Sequence, residues 1–351
     1  MNAILHHLLL FLIVTISVTH ITFASKSNGM KRGKRKRGGP SGRFKLPDTN
    51  LPVVSPWTRG APLPYLSNCS YSIPEFECTK ATSASGGYFF HGRDARLTTK
   101  DVQWLSGRRI AFVGDSMARN QFMSLQCLLQ EHEPHTVDVS FHHSYWLVAH
   151  SLARPGAKPQ LLDPSSISAT LKDVLHGHRA QDCVVVSTSA WWGISDYALD
   201  SSLYAEGNIS ISETFQTATQ TVLAALATEY LGTPVWRTMG ATHFNTGSHL
   251  DGTCHQGEMS GEFKKGFAKI PMYQKKAVAA VAPAYAGRVG VLDVTQMTAF
   301  RHDAHPGDES RRRGANFDDC RHWCLPGVPD QWNNMLLRLW RDVAARGPKV
   351  G

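Results

Sequence analysis

Acidic side chains are absent from the first 45 residues, and charge of either sign is absent from the first 25. Lys26 to Lys45 hold nine Lys or Arg, which leaves 28 of the 37 basic residues to set against all 28 acids. The formal charge of +9 therefore belongs to a tail, and the body of the chain is neutral. That excludes the broad basic surface of a nucleic-acid-binding fold. An apolar run of spanning length is also lacking. Leu8 to Val14 is apolar, but Thr15, Ser17, Thr19 and His20 interrupt the run beyond it, short of the roughly 20 residues that cross a bilayer comfortably. No internal repeat is visible, which excludes solenoids and propellers.

Composition divides what is there. At 351 residues and 42% hydrophobic, the chain is long enough for one large domain with a full core plus appendages. Residues 1–24 read as a signal peptide cleaved after Ala24 or as a signal anchor. The basic cluster comes after the apolar run, which disfavours an anchor with a lumenal body. Residues 25–56 are Lys, Arg, Gly, Pro and Ser with almost no large apolar side chain, a basic tether that cannot fold alone. Residues 57–104, with Cys69, Cys78 and several aromatics, read as a small N-terminal lobe, and 105–348 as the main domain.

Seven cysteines in a secretory context imply disulfides with one thiol left over. Cys183, inside the apolar run Cys183 to Val186, is the expected free thiol. Cys69, Cys78, Cys127, Cys254, Cys320 and Cys324 remain for pairing. Sequons at Asn68 and Asn208 fit the same route. Strand signals at Asp182 to Thr188, Val235 to Met239 and Arg288 to Val294 alternate with helical ones at Ser210 to Leu231, Pro271 to Ala286 and Pro329 to Arg346. That alternation predicts an α/β fold with a mostly parallel sheet covered on both faces. Ligands in such sheets bind beyond the carboxyl ends of the strands.

The stretch Arg109 to Leu129 changes character at one point. Ile110 to Val113 is a strand-like apolar run, whereas Phe122, Leu125 and Leu129 recur at helical spacing. Gly114, Asp115 and Ser116 sit at the junction, where a helix N-terminus favours developing negative charge and an acyl-transfer nucleophile is well placed. Ser116 or Asp115 could equally be an N-cap. Near the other end, Asp319 and His322 are three apart, so on one helical turn the carboxylate could hold the imidazole while its second nitrogen reaches a serine. Arg119 and Asn120 share the helix face of Ser116, either orienting an acyl donor and stabilising the oxyanion or forming an ordinary solvated first turn.

GDSMARNQFMSLQCLL and DDCRHWCLPGVPDQWN, with Thr238 to Phe244 and Phe300 to Pro306 between them, resemble the plant trichome-birefringence-like family of polysaccharide O-acetyltransferases. The catalytic domain of that family belongs to the SGNH (GDSL-type) esterase group. The resemblance runs from about Arg109 to Trp340. It implies an SGNH-like three-layer α/β/α domain and an acetyl-serine route in which Ser116 is nucleophile, His322 base and Asp319 orienter. No bound cofactor is implied, only an acetyl donor such as acetyl-CoA or another acetylated carrier. The acceptor is a polysaccharide or oligosaccharide; no nucleic acid takes part, and a membrane is met only through an N-terminal anchor. The resemblance also implies residence in the Golgi lumen, or secretion. A hydrolase of the same fold and a non-catalytic polysaccharide-binding protein are the alternatives.

One segment departs from the family. Where it reads Asn-Thr-Gly-His-Trp-Trp, this chain has Ser187 and Ala190 in place of the Asn and His. In SGNH enzymes that Asn donates to the oxyanion. Either Ser187, the Ser116 N–H, Gly114 or Arg119 builds the hole, or activity is altered. Trp191 and Trp192 offer faces for a sugar ring or belong to the core, as does Trp323. His243 falls in a family-like segment and is expected near substrate. His302, His305 and Asp303 read as supporting or structural. The Cys320 and Cys324 pair invites a zinc reading. In an oxidising compartment these cysteines instead clamp the Asp319 turn through disulfides, one of them to Cys254.

Overall fold

The computed structural model describes residues 57–59, 69–71, 76, 78, 88–90, 96–132, 136–152, 159–177, 182–188, 190–192, 211–244, 253–254, 269–308, 310 and 318–346. The signal, the whole tether, Asn68 and Asn208 lie outside them. Short strands β1 (Trp57–Arg59) and β2 (Tyr88–Phe90) pair antiparallel. Helix α1 (Thr99–Leu105) starts at a capping box in which Thr98 and Asp101 satisfy each other's backbone N–H groups.

Strand β3 (Arg109–Gly114) leads into helix α2 (Ser116–Gln130), followed by β4 (Asp138–His143) and the hairpin β5 (Val148–Leu152) and β6 (Pro159–Ile167). Then come α3 (Ala169–Gly177), β7 (Cys183–Ser187), α4 (Ile211–Thr228), β8 (Thr233–Arg237), α5 (Lys269–Val281), β9 (Gly290–Leu292), the single turn α6 (Thr295–Thr298) and α7 (Val328–Arg346). The main sheet has the order β4-β3-β7-β8-β9, parallel throughout. From β3 the chain goes out to β4 and then returns past β3 to β7. The crevice of this topology therefore opens at the carboxyl end of β3, where Ser116 stands.

Period-two alternation along the central strands makes two cores. Ala111, Val113, Val184, Val186 and Trp236 pack against Leu171 and Val174 of α3, Val222 and Leu226 of α4, and Val278 of α5. Ile110, Phe112, Val185 and Val235 face the opposite way, onto Leu125 and Leu129 of α2 and Leu336 and Trp340 of α7. Each Val, Leu, Ile or Phe among them contributes about 1.5–3 kcal/mol on full burial. The result is three layers, helices on both faces of a parallel sheet, as the alternating sequence signals implied.

Three disulfides join Cys69 to Cys127, Cys78 to Cys324 and Cys254 to Cys320. Cys69 and Cys78 thus tie the N-terminal segment to the main domain, not to each other. Cys183 is free and buried, and burial pushes its thiol up to about 12. Disulfides of this kind fit residence in an oxidising, secretory compartment. Among the described residues, no helix is long and apolar enough to cross a membrane. The β5–β6 hairpin and α3 are additions that no periodicity in the sequence announces. One local expectation is overturned: Asp319 to His322 is a bend, not a helical turn.

Candidate active site

Regular structure places the serine. Asp115 is the N-cap of α2, its carboxylate accepting from the Met117 N–H at 2.9 Å, so Ser116 is the first helical residue. Gly114 sits level with His143 of β4 on one side and Ser187 of β7 on the other. A Cβ at Gly114 would lie 1.8 Å from the Ser187 carbonyl oxygen, so only glycine lets β3 end this close to its neighbour.

Irregular structure places the histidine. His322 Nδ1 is 2.7 Å from Asp319 Oδ2, and its Nε2 is 2.7 Å from Ser116 Oγ. Asp319 Oδ1 accepts from the backbone N–H groups of Arg321 at 3.1 Å and His322 at 2.9 Å. Burial pushes this carboxyl up, but the His322 charge, the His322 ring hydrogen bond and the two backbone N–H groups together hold it well below the usual carboxylate range. Ionised Asp319 fixes the proton on His322 Nδ1 and leaves Nε2 to accept from the Ser116 hydroxyl. Side-chain exposures of 22% for His322 and 14% for Asp319 leave the pair open to an incoming ligand.

The bend that carries them is clamped from several directions. Asp319 exchanges backbone hydrogen bonds with Gly307 at 2.9 and 3.0 Å, and its N–H also lies 2.9 Å from Ser310 Oγ. The flanking cysteines are both in disulfides, so the thiolates a zinc site needs are spoken for. Cys78, bonded to Cys324, brings Phe76 against the site. The Phe76 ring centroid lies 5.3 Å from that of His322, and the Leu325 N–H donates to the Phe76 carbonyl at 2.8 Å.

Four candidate residues have other positions. Asn120 is fully buried and latches both backbone groups of Trp323, donating to its carbonyl at 3.1 Å and accepting from its N–H at 2.8 Å. It holds the histidine segment and does not face a ligand. Trp192 is fully buried in the core, its ring N–H 3.2 Å from Thr188 Oγ1, so no sugar can stack on it. His243 is also fully buried and pairs with His305 at 2.7 Å. Trp323 is core as well. In each case a polar or aromatic side chain near the motif in sequence is turned inward by tertiary packing.

Other candidates stay at the crevice. Trp191 is half-buried, 4.2 Å from Tyr145, and Tyr145 is 4.0 Å from His143. This file of rings starts at exposed His143, level with Gly114. Arg119 is half-buried, with its guanidinium 5.8 Å from the Phe76 ring centroid and its Nε without a hydrogen-bond partner among the described residues. The Ser187 hydroxyl is buried and likewise unpartnered. Phe76, His143 and Tyr145 escape the sequence reading. For His143 the only signal is its place at the end of a strand whose register becomes visible with the sheet.

A parallel α/β/α sheet with a serine at its switch point, hydrogen-bonded to a histidine and aspartate from the far end of the chain, defines an SGNH-like protein. Residues 98–138 and 131–339 match the family model described as PC-Esterase, the GDSL/SGNH-like acyl-esterase family found in Pmr5 and Cas1p. The chain belongs to that family. Among the Arabidopsis thaliana proteins it is similar to are trichome birefringence-like 18 (27% identical, 71% of this chain and 55% of the relative), trichome birefringence-like 6 (30%, 68% and 57%) and trichome birefringence-like 9 (27%, 78% and 77%). The chain spans 55–58% of the length of the curated relatives trichome birefringence-like 18, YLS7 and trichome birefringence-like 6, all from Arabidopsis thaliana.

Proposed function

We propose that this protein is an O-acetyltransferase that moves an acetyl group from a donor onto a hydroxyl of a cell-wall polysaccharide, through an acetyl-Ser116 intermediate. The observation that carries the reading is the unbroken path from Asp319 through His322 to the Ser116 hydroxyl, 2.7 Å at each step. His322 Nε2 takes the hydroxyl proton as Ser116 Oγ attacks the donor's acyl carbon. The tetrahedral intermediate collapses, the donor's leaving atom receives that proton from His322, and acetyl-Ser116 remains. An acceptor hydroxyl then loses its proton to His322 as its oxygen attacks the acetyl carbon. Ser116 leaves, recovering the proton, and the sugar ester is formed.

Developing oxyanion charge falls at the start of α2, where the Ser116 N–H, Arg119 and the Ser187 hydroxyl are the available donors. Trp191 supplies an aromatic face for the acceptor. Family membership and the names of the relatives support acyl chemistry and a plant setting. Delivery of acetyl to sugar in the Golgi lumen, or after secretion, is part of this proposal, as is a donor of the acetyl-CoA type.

The test is incubation of the full chain with an acetyl donor, with and without oligosaccharide. Acetylated sugar that depends on both supports transfer. Free acetate alone makes the protein a hydrolase. Ser116→Ala abolishes either product while sparing oligosaccharide binding; a wild-type protein that binds sugar and turns nothing over is a binding module.

A further inference from the structure

At His322 and Trp323 no strand or helix satisfies the backbone, and side chains do it instead. The His322 N–H goes to Asp319 and both groups of Trp323 go to Asn120. The remaining group, the His322 carbonyl, faces His305 Nδ1 at 2.6 Å. His305 Nε2 in turn faces His243 Nδ1 at 2.7 Å, and His243 Nε2 lies 3.2 Å from the Ala299 carbonyl. Both rings are buried, and His305 lies against Trp323 with centroids 4.2 Å apart.

The protons on this chain are determined by what each atom can do. A carbonyl oxygen only accepts, so the short contact to His322 requires the proton on His305 Nδ1. Burial pushes His305 down to about 4, against the pull of the His322 carbonyl, Asp319 and Asp303, so the ring is neutral near pH 7. Its Nε2 then has no proton and can only accept. His243 must therefore carry a proton on Nδ1. The third contact, from His243 Nε2 to the Ala299 carbonyl, is the longest, and it is a hydrogen bond only when that nitrogen carries a proton as well. The titratable and charged groups around the pair are Asp319, Asp303 in its ion pair with Arg301, His302 6.0 Å from His243, and His322 itself.

We propose that His305 and His243 are positioning residues for the base, a two-ring relay with both rings protonated on Nδ1 that grips the His322 carbonyl and sets the imidazole over Ser116. The proposal rests on the reading of His322 as the base. A misplacement near 1 Å at a reacting group costs on the order of a hundredfold in rate, so a grip on the base's own backbone bears directly on turnover.

Nitrogen-15 NMR of the histidine rings in the full-length wild-type protein near pH 7 tests the relay without turnover. The expected result is a protonated Nδ1 on both rings and an unprotonated Nε2 on His305; a proton on His305 Nε2, or a His243 without a proton on Nδ1, overturns it. Kinetics provide the second arm. In His305→Asn the amide nitrogen takes the place of Nδ1 and keeps kcat within about threefold, whereas His305→Leu lowers kcat about 10- to 100-fold with KM little changed. Equal losses in both variants would mean that His305 only fills space beside Trp323. If the leucine variant does not fold, the ring tautomers decide the matter. Should wild type show the expected tautomers but no turnover, the relay stands and the acetyl-transfer reading falls.

Discussion

The two halves of the candidate site are built by opposite means. Ser116 stands where a central strand of a parallel sheet turns into a long helix, and its place comes from hydrophobic period and one N-cap. Asp319 and His322 stand on a bend with no regular hydrogen-bond ladder, held by the Gly307 bridge, two disulfides, the Asn120 latch and the His305 contact. A nucleophile on a rigid element tolerates the loss of any one neighbour. A base on a bend depends on each clamp. If the contrast is right, substitutions around His322 should change turnover more than equally buried ones around the serine strand.

The largest effect is expected at the pair itself. Asp319→Asn can no longer enforce the proton on Nδ1, and kcat should fall on the order of 10³–10⁴-fold with KM little changed. The same substitution has a pH signature. The folded carboxyl is held below its ordinary 3.8, so its contribution to stability is complete above that value and is lost as pH falls through the folded one. The urea-midpoint difference between wild type and Asp319→Asn should therefore narrow as pH drops below about 4. A difference that stays constant through that range would show that Asp319 is not paired with His322 in solution.

The latch comes next. Asn120→Ala strips two partners from Trp323 backbone groups that have no water to turn to, a loss of about 1–3 kcal/mol for each stranded group. It should lower kcat about tenfold or more by loosening the next residue back, His322. Gln121, one position along and equally buried, bonds Asn333 and not the bend. Gln121→Ala should destabilise comparably while kcat holds. Equal kinetic effects at the two positions would erase the distinction between the halves.

The disulfides from the N-terminal segment divide in the same way. Replacing Cys78 and Cys324 by Ser should lower stability by about 2–4 kcal/mol and, by freeing Phe76 from the His322 ring, reduce kcat severalfold. Replacing Cys69 and Cys127, which anchor the last turn of α2 beside Gln130 and Ser70, should cost comparable stability and leave kcat within about twofold. Thermal midpoints and initial rates on both double variants check this.

The same asymmetry explains what the sequence can disclose. The β3-to-α2 junction is legible because both its signals are local: an apolar run ends and a 3.6-residue period begins within three residues. Asp319 and His322 are legible as residue types at a useful spacing, but the helical turn expected of them is wrong. Cys254, Gly307 and Asn120, far away in the chain, set that backbone. Asn120 and His243 stand out in the sequence for a task they do not have, since whether a side chain faces the crevice or the core depends on packing that periodicity does not contain. Phe76 leaves no local trace at all, because a 246-residue disulfide span brings it to the site.

The smallest expected effect lies on the serine side, at the position where this chain departs from its family. Ser187 ends β7 level with Gly114, and its buried hydroxyl has no partner among the described residues. A donor held there for the oxyanion alone would be unpaired in the resting protein and engaged only during reaction. Ser187→Ala should then lower kcat severalfold without destabilising the fold, because an unsatisfied polar atom is removed. Ser187→Asn reaches further and should raise kcat severalfold, though two extra heavy atoms must fit at a fully buried position, and overpacking of that kind costs about 1–3 kcal/mol. A fall in kcat for alanine with a rise for asparagine would place the oxyanion beside β7. No change in either would move it to the Ser116 N–H and Arg119, and would mean that the rigid half of the site works without help from its neighbouring strand.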